Sequence, residues 1–511
     1  MTSDTTKQYT SELPSALYRA AQVRELDRIT IEEYGIPGFD LMSRAGEAAF
    51  ELLRDRWPLA RRLCIFCGVG NNGGDGYVIA ALAEKAGFEA HVVQVGDPDK
   101  TQGDALTAWQ RADAEGASFE RFNPEGVYGG DVMVDALLGT GLNGDVRGDY
   151  VAAINTINQS ECPVLAVDIP SGLCADTGRV LGTAVEADCT VSFIGLKQGL
   201  LTGQAPDYVG DLYYASLAVP AEVFRSHSSV DPSATLIDGQ QIKRWLPPRS
   251  RLAHKGNNGH VLVIGGDLGM GGAAAMAAEA AGRVGAGLIS VVTRPEHITG
   301  ILGRRPECMV LGVSTEDLNI SQQLAKADVL VVGPGIGQNP WGQSLLKQAL
   351  ATDLPLVLDA DGLNLLAGWQ QDAQLAKRGN WVLTPHPGEA ARLLGISTEE
   401  LSLDRFAAVQ RLQQQFGGAV VLKGAGSLIA GTAGLWVCRS GNPGMASGGM
   451  GDVLSGVIGG LLAQGLSLEQ AAAAGVQVHA TAGDRAAEQA GQRGLLATDL
   501  MPYIRRLVNP R

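Results

Sequence analysis

The chain has 511 residues, of which 40 are basic and 54 acidic, for a formal net charge of −14 at pH 7. That length calls for two or more hydrophobic cores, and the negative balance excludes a nucleic-acid polyanion or an anionic membrane as a bulk partner while leaving room for a nucleotide, which needs only local donors. Seven cysteines are too few and too odd for a disulfide framework. With an N-terminus lacking the apolar core of a signal peptide, and no run of membrane-spanning length, they point to a reducing cytoplasm.

Two helical segments, near residues 20–34 and 40–56, open the chain. Apolar strands then alternate with helical patterns: "RRLCIFCG", "EAHVVQVG", "DVMVDALLG", "PVLAVDIPSG" and "DCTVSFIG". Such near-continuous apolar strands imply a parallel sheet covered on both faces. Cys64 and Cys67 form a C-x-x-C on the first strand. Residues three apart on a strand point to opposite faces, so two buried cysteines are expected rather than a redox or zinc pair. In parallel sheets ligands bind at the carboxyl ends of strands. "CGVGNNGGDGYVIAA" is a glycine turn in that place, with Asn71, Asn72 and Asp75 adding oxygens. Asp135, Asp168 and Ser171 end later strands. Asn72, Asp135 and Ser171 form a hard-oxygen set suited to a hard cation.

"RSHSSVDPSATLIDGQQIKRWLPPRSRLAHKG" has little periodicity, and the boundary is placed there, with domains at 1–228 and 229–511. A second alternation follows: "HVLVIGGD", "GLISVVTR", "DVLVVGPGIG", "PLVLDADGLN", "WVLTPHPGE" and "AVVLKGAGS", ending in Ala-rich helices. His386 and Glu389 sit at a helix start, and Lys423 at a strand end. "NPGMASGGMGDVLSG" surrounds one carboxylate, Asp452, with glycine at the head of a helix. A glycine-rich helix N-terminus is an anion site. A carboxylate within it suits a base that takes a proton from a hydroxyl attacking phosphate. The bland alternative is a tight helix contact with Asp452 as a cap.

"GVGNNGGDGYVIA", "DALLGTGLNGDVRG", "VDIPSGLCADTG" and "FIGLKQGLLTGQAPDYVGDL" resemble the NAD(P)H-hydrate epimerase family over roughly residues 15–220. The resemblance implies a Rossmann-like, doubly wound domain that interconverts the R and S epimers of hydrated NADH and NADPH, with a bound potassium ion. Carried over, Asn72, Asp135 and Ser171 would hold the potassium. Asn71, Asn72, Gly73, Gly74 and Asp75, with Gly139, Thr140, Gly141, Leu142, Asn143, Gly144 and Asp145, would hold the substrate. Asp168 would bind at the reacting ring and act as the catalytic carboxyl.

The G-x-G-D order before a helix resembles the ribokinase-like superfamily. "KGNNGHVLVIGG", "DADGLN", "TPHPGE", "VLKGAGS" and "SGGMGDVLSG" are similar, more narrowly, to ADP-dependent NAD(P)H-hydrate dehydratase over roughly residues 240–505. That implies a C-terminal ribokinase-like α/β domain with ADP as co-substrate. Magnesium would accompany the ADP, with Glu389 a candidate for its water shell. Lys423, Gly424, Ala425, Gly426, Ser427 and Gly451 would bind the nucleotide, and Ala273, Gly335, His386 and Asp452 would line the hydrate site. Residues from Gly448 to Gly451 would donate N–H groups to the migrating phosphoryl, with Asp452 as catalytic base. The whole chain then resembles the bifunctional repair enzymes for these hydrates, expected here as a cytoplasmic homo-oligomer. A small-molecule kinase of the ribokinase superfamily, fused to a Rossmann-like binding module, is the alternative.

Overall fold

The structure, a computed structural model, describes residues 7–142, 144–369 and 377–509. The chain divides into two compact units, Met1–Thr235 and Leu236–Arg511.

In the first unit the helices Ala20–Glu32 and Gly38–Arg56 precede a seven-stranded sheet. Its order is Ser118–Arg121, Glu89–Gln94, Arg62–Cys67, Val132–Ala136, Val164–Val167, Cys189–Phe193 and Asp211–Ala215, with every neighbouring pair parallel. The connections reverse direction across the sheet between Arg62–Cys67 and Val132–Ala136. This is the doubly wound, Rossmann-like order, and a crevice opens at such a switch point. The central strands are buried on both faces, which is why they read as unbroken apolar runs. The two edge strands were not among those expected. "SFER" is largely exposed and "DLYYA" half-buried, so neither has the apolar signature of a central strand. Cys64 and Cys67 are buried and unbonded, in core clusters on opposite faces of the sheet. The short strand Leu196–Lys197 pairs in parallel with Ala16–Tyr18, placing Lys197 beside Tyr18.

In the second unit the order is Met309–Gly312, Leu288–Thr293, His260–Ile264, Val329–Val332, Leu356–Leu358, Trp381–Leu383 and Ala419–Leu422, all parallel. Ser427–Gly431 and Gly434–Cys438 then add antiparallel strands, a departure from the purely parallel sheet expected. A short chain reversal after Gly431 leaves no room for a crossover helix, so only antiparallel pairing is open to it. The stretch read as linker carries order of its own, including the helix Gly239–Trp245, capped by Asp238.

The helices Gly271–Val284, Met450–Ala463 and Leu468–Ala490 supply much of the apolar cover. Small residues let them approach closely. A Cβ on Gly456 would lie 2.1 Å from the Ala277 carbonyl oxygen, and one on Gly460 would lie 2.4 Å from Val284 Cγ1. The glycines after Asp452 therefore serve packing, whatever those before it do.

Gly456→Ala separates two opposing effects. Helix propensity alone favours alanine by about 1 kcal/mol. Overpacking against Ala277 costs about 1–3 kcal/mol, and more where backbone must move. A net loss of stability in chemical denaturation is expected; a gain would show that the helices have room to part.

Candidate functional sites

In the first unit the turn after Arg62–Cys67 runs directly into the helix Asn71–Lys85. The turn is as tight as backbone allows, since a Cβ on Gly73 would lie 2.0 Å from the Gly68 carbonyl oxygen. Asn72, Gly73, Gly74 and Asp75 are buried here, and Asn71 is exposed. Gly139 lies against Asn72, and the Asn72 amide nitrogen and oxygen are both buried without a hydrogen-bond partner. Asp135 is fully buried. Its Oδ1 accepts from Ser171 Oγ at 2.6 Å and its Oδ2 from the Ser171 N–H at 2.7 Å, while Ser171 Oγ accepts from the Leu138 N–H at 2.8 Å. Neither Asp135 nor Ser171 caps a helix. Together they pin the start of the loop that runs through Gly139, Thr140, Gly141, Leu142, Gly144 and Asp145; Asn143 lies outside the described residues. Burial pushes the Asp135 carboxyl up to about 6.

Asp168 has φ 69°, a left-handed conformation uncommon outside glycine. Its Oδ1 receives the Lys197 ammonium and, at 3.3 Å, the Phe193 N–H. Lys197 is 1% exposed and also donates to Ser192 Oγ at 3.2 Å and the Phe193 carbonyl at 3.1 Å. Two further carboxyls feel this pair. Burial pushes Asp27, on the helix Ala20–Glu32, up to about 7, with Lys197 opposing and Asp168 adding to the shift. Burial likewise raises Asp75 well above its ordinary value, helped by Asp168 and Asp27. Sequence reasoning named neither Lys197 nor Asp27. Lys197 could have been found, as a cation closing the apolar strand of "TVSFIGLK". Asp27 sits on a helix whose pattern marks it as an ordinary polar position.

In the second unit the polar residues again follow strands. Lys423, after Ala419–Leu422, reaches back to Asp359, after Leu356–Leu358, with Nζ 2.8 Å from Oδ1 and 3.9 Å from Glu389 Oε2. Asp359 is 1% exposed. Burial pulls the Lys423 ammonium down, but Asp359 and Glu389 outweigh it and hold it above its usual value. His386 caps the helix Pro387–Leu394, its Nδ1 accepting from the Gly388 N–H at 3.0 Å and the Glu389 N–H at 3.4 Å. Glu389 returns the contact, its Oε2 accepting from the His386 N–H at 2.8 Å. Burial, then Lys423 and Arg392, hold His386 below its ordinary range.

The helix Met450–Ala463 begins at Gly449, whose φ of 90° favours glycine. Asp452 is in its first turn but makes no side-chain cap there. At Gly451 a Cβ would lie 3.3 Å from Lys423 Nζ and 3.4 Å from Asp359 Oδ2, so the glycine motif is seated on that ion pair. Burial pushes Asp452 up to about 7; Asp359 adds to this and Lys423 opposes it. Burial does the same to Glu389, also to about 7.

Ala273 and Gly335 meet along the same sheet edge, where a Cβ on Gly335 would lie 3.2 Å from Ala273 Cβ. The loops that carry them are joined by Asp267. Its N–H donates to the Gly335 carbonyl at 2.6 Å, and its carboxylate accepts from Arg294 Nε at 2.7 Å and Asn339 Nδ2 at 2.6 Å. Arg294 stacks on Trp341, 4.4 Å from the ring centroid. Asp359, Asp267 and Arg294 were missed by sequence reasoning, although each ends an apolar strand as Asp168 does. Among the described residues no group of three or more His, Cys, Asp or Glu side chains is set to hold a metal ion, and no helix is long and apolar enough to cross a membrane.

Two largely parallel sheets, each with a lysine–carboxylate pair at the carboxyl ends of its strands and further carboxyls close by, give the chain the layout of a two-site α/β enzyme. A family profile described as YjeF-related protein N-terminus matches residues 38–199, and one described as NAD(P)H-hydrate dehydratase matches residues 261–506. A bifunctional NAD(P)H-hydrate repair enzyme of Coxiella burnetii is 51% identical over 97% of this chain and 100% of that protein. One from Escherichia coli is 44% identical over 100% of this chain and 97% of that protein. Among solved structures, the ADP/ATP-dependent NAD(P)H-hydrate dehydratase of Bacillus subtilis is 28% identical, covering 53% of this chain and 96% of that one with a TM-score of 0.46. The chain belongs to the family of bifunctional NAD(P)H-hydrate repair enzymes.

The Asp27 carboxyl yields a stability test with a definite sign. A carboxyl whose folded pKa, here about 7, stands above its unfolded value of about 4 costs nothing at low pH and destabilises as pH rises through that window. Asp27→Asn should therefore melt above the wild type at pH 8 and close to it at pH 4. An equal gap at both pH values would mean Asp27 is not carried as a buried carboxyl.

Proposed function

We propose that the chain repairs hydrated NADH and NADPH, epimerising the R and S hydrates in the first unit. In the second, it dehydrates the S hydrate with ADP, releasing AMP and phosphate. The observation that carries this reading is the seating of the Gly449–Asp452 turn on the Lys423–Asp359 pair, with Asp452 uncapped and held near 7.

The hydroxyl of the hydrated ring is a poor leaving group. Its oxygen attacks the β-phosphorus of ADP, AMP departs, and the ring C–O bond of the resulting phosphate ester then breaks, releasing phosphate with the help of the ring nitrogen's electron pair. Loss of a ring proton then restores the dihydropyridine. Asp452 accepts the hydroxyl proton as attack begins, and a carboxyl near 7 is matched to that task. N–H groups from Gly448 to Gly451 face the migrating phosphoryl, and the loop Lys423 to Ser427 holds the nucleotide. Ala273, Gly335 and His386 line the hydrate. Magnesium would accompany the ADP and neutralise phosphate charge, with Glu389 the residue that would meet its water shell. A kinase working on the same site would instead leave a stable phosphate ester.

In the first unit, loss of the hydroxyl beside the ring nitrogen leaves a cationic iminium, to which water returns on either face. Asp168 serves as the acid and then the base. The raised Asp75 and Asp27 carboxyls beside the Lys197–Asp168 pair hold protons that they can give up as that cation forms, which leaves negative charge next to it. The orphaned Asn72 amide and the deeply buried Asp135 carboxylate fit a weakly held monovalent ion. Asn72, Asp135 and Ser171 would hold potassium, which would supply a fixed positive charge to the site. The halves 1–228 and 229–511 carry the two activities, in the cytoplasm and in a homo-oligomer.

Asp452→Asn is expected to lower dehydration at least about 100-fold while ADP binding and epimerisation stay near normal. In the wild type, kcat/KM for dehydration should fall as pH drops below about 7, because only the ionised Asp452 accepts a proton. A variant that dehydrates normally would falsify the base assignment.

Replacing potassium by lithium should slow interconversion of the epimers. Equal rates in both salts would count against an ion at Asn72, Asp135 and Ser171.

A further inference from the structure

Arg405 opens the helix Arg405–Phe416 and is 8% exposed. Its guanidinium is pressed against the loop that follows Ala419–Leu422. A Cβ on Gly424 would lie 2.7 Å from Nη1 and 2.9 Å from Nη2, so a side chain there would push the guanidinium aside. Gly424 also has φ +143°, which favours glycine. Nη2 donates to the Lys423 carbonyl at 3.4 Å and the Gly426 carbonyl at 3.5 Å, both long contacts, and Nε is buried with no partner.

No carboxylate answers this charge. Among the described residues Arg405 has no ion pair, and burial alone lowers its guanidinium, to about 10. The neighbouring Asp404 is occupied in capping the helix through the Ala407 N–H at 2.9 Å. The contrast with Arg294 is direct: that guanidinium is equally buried but meets Asp267 at 2.7 Å, Thr315 Oγ1 at 2.9 Å and the Trp341 ring. Burying an unpaired cation is costly. The cost is explained if an anion completes the pairing in the working enzyme.

The anion has a natural place. The backbone that Arg405 touches, Lys423 to Ser427, is the loop read above as the nucleotide site, and the inference rests on that reading. We propose that Arg405 is the positioning residue of the nucleotide site. Its guanidinium fixes the Lys423–Ser427 backbone through the Lys423 and Gly426 carbonyls, and it supplies the unneutralised positive charge that draws the phosphates of an adenine nucleoside diphosphate to the loop. Lys423 cannot do this alone, because Asp359 already pairs with it at 2.8 Å.

The test uses the full chain and measures ADP, AMP and adenosine binding by titration calorimetry, with KM for ADP and kcat of dehydration alongside. Arg405→Gln keeps N–H donors for the two carbonyls and removes the charge. Arg405→Lys keeps the charge and loses the fork. Arg405→Met serves as a second neutral variant should the glutamine not fold. With either neutral variant, ADP affinity should fall tenfold or more and AMP affinity less, while adenosine binding stays within about twofold. KM for ADP should rise far more than kcat falls, and Arg405→Lys should recover most of the ADP affinity. Salt should weaken ADP binding less in the neutral variants than in the wild type. A neutral variant that binds ADP as the wild type does, or that loses ADP and adenosine equally, overturns the proposal, the second result marking Arg405 as scaffold only. Wild-type protein that binds no ADP would instead overturn the reading of the loop, and the inference with it.

Discussion

Each unit places one lysine among three carboxyl groups, and the charge balance of both sites rests on that imbalance. In the first unit Lys197 pairs with Asp168 while Asp27 and Asp75 press on the same pocket. In the second, Lys423 pairs with Asp359 while Glu389 and Asp452 press on it. A buried cation can answer one carboxylate well. The others are left to burial and mutual repulsion, which favour the protonated form and carry Asp27, Glu389 and Asp452 to about 7. Groups near 7 are those that can give and take protons at neutral pH.

The folds deliver this crowding without disorder because the lysine and its partner both stand at strand ends. Parallel strands bring residues distant in sequence to one edge. Asp168 and Lys197 are 29 residues apart, and Asp359 and Lys423 are 64 apart, yet each pair is in contact. The glycine turns beside them are a matter of space. Gly73 approaches the Gly68 backbone so closely that a side chain would displace it, and a Cβ on Gly451 would be in tight contact with the ion pair. Arg405 extends the pattern, as a buried cation left without a carboxylate beneath a glycine loop.

The glycines of "GGMGDVLSGVIGG" divide by what they touch. Gly456, Gly459 and Gly460 let the helix Met450–Ala463 pack on its neighbours, and Gly449 and Gly451 shape the turn that seats Asp452 on the ion pair. His386 caps its helix, and the cap brings Glu389 toward Lys423.

The sequence by itself determined the central strands, the two-block order, the glycine turns and most strand-end polar residues. These are local signals: an apolar run of strand length, a glycine cluster after it, a helix pattern next. It also carried motifs specific enough to name the family. It missed "SFER" and "DLYYA", edge strands without continuous apolar character, and the antiparallel pair after Lys423, whose apolar runs are short. What only the tertiary structure decided is which charges meet. Nothing near Asp27 in the chain says that it faces Lys197, and nothing near Arg405 says that it lies under Gly424. A carboxyl's pKa and a cation's lack of a partner are properties of burial and of neighbours far away in the chain, and folding alone creates both.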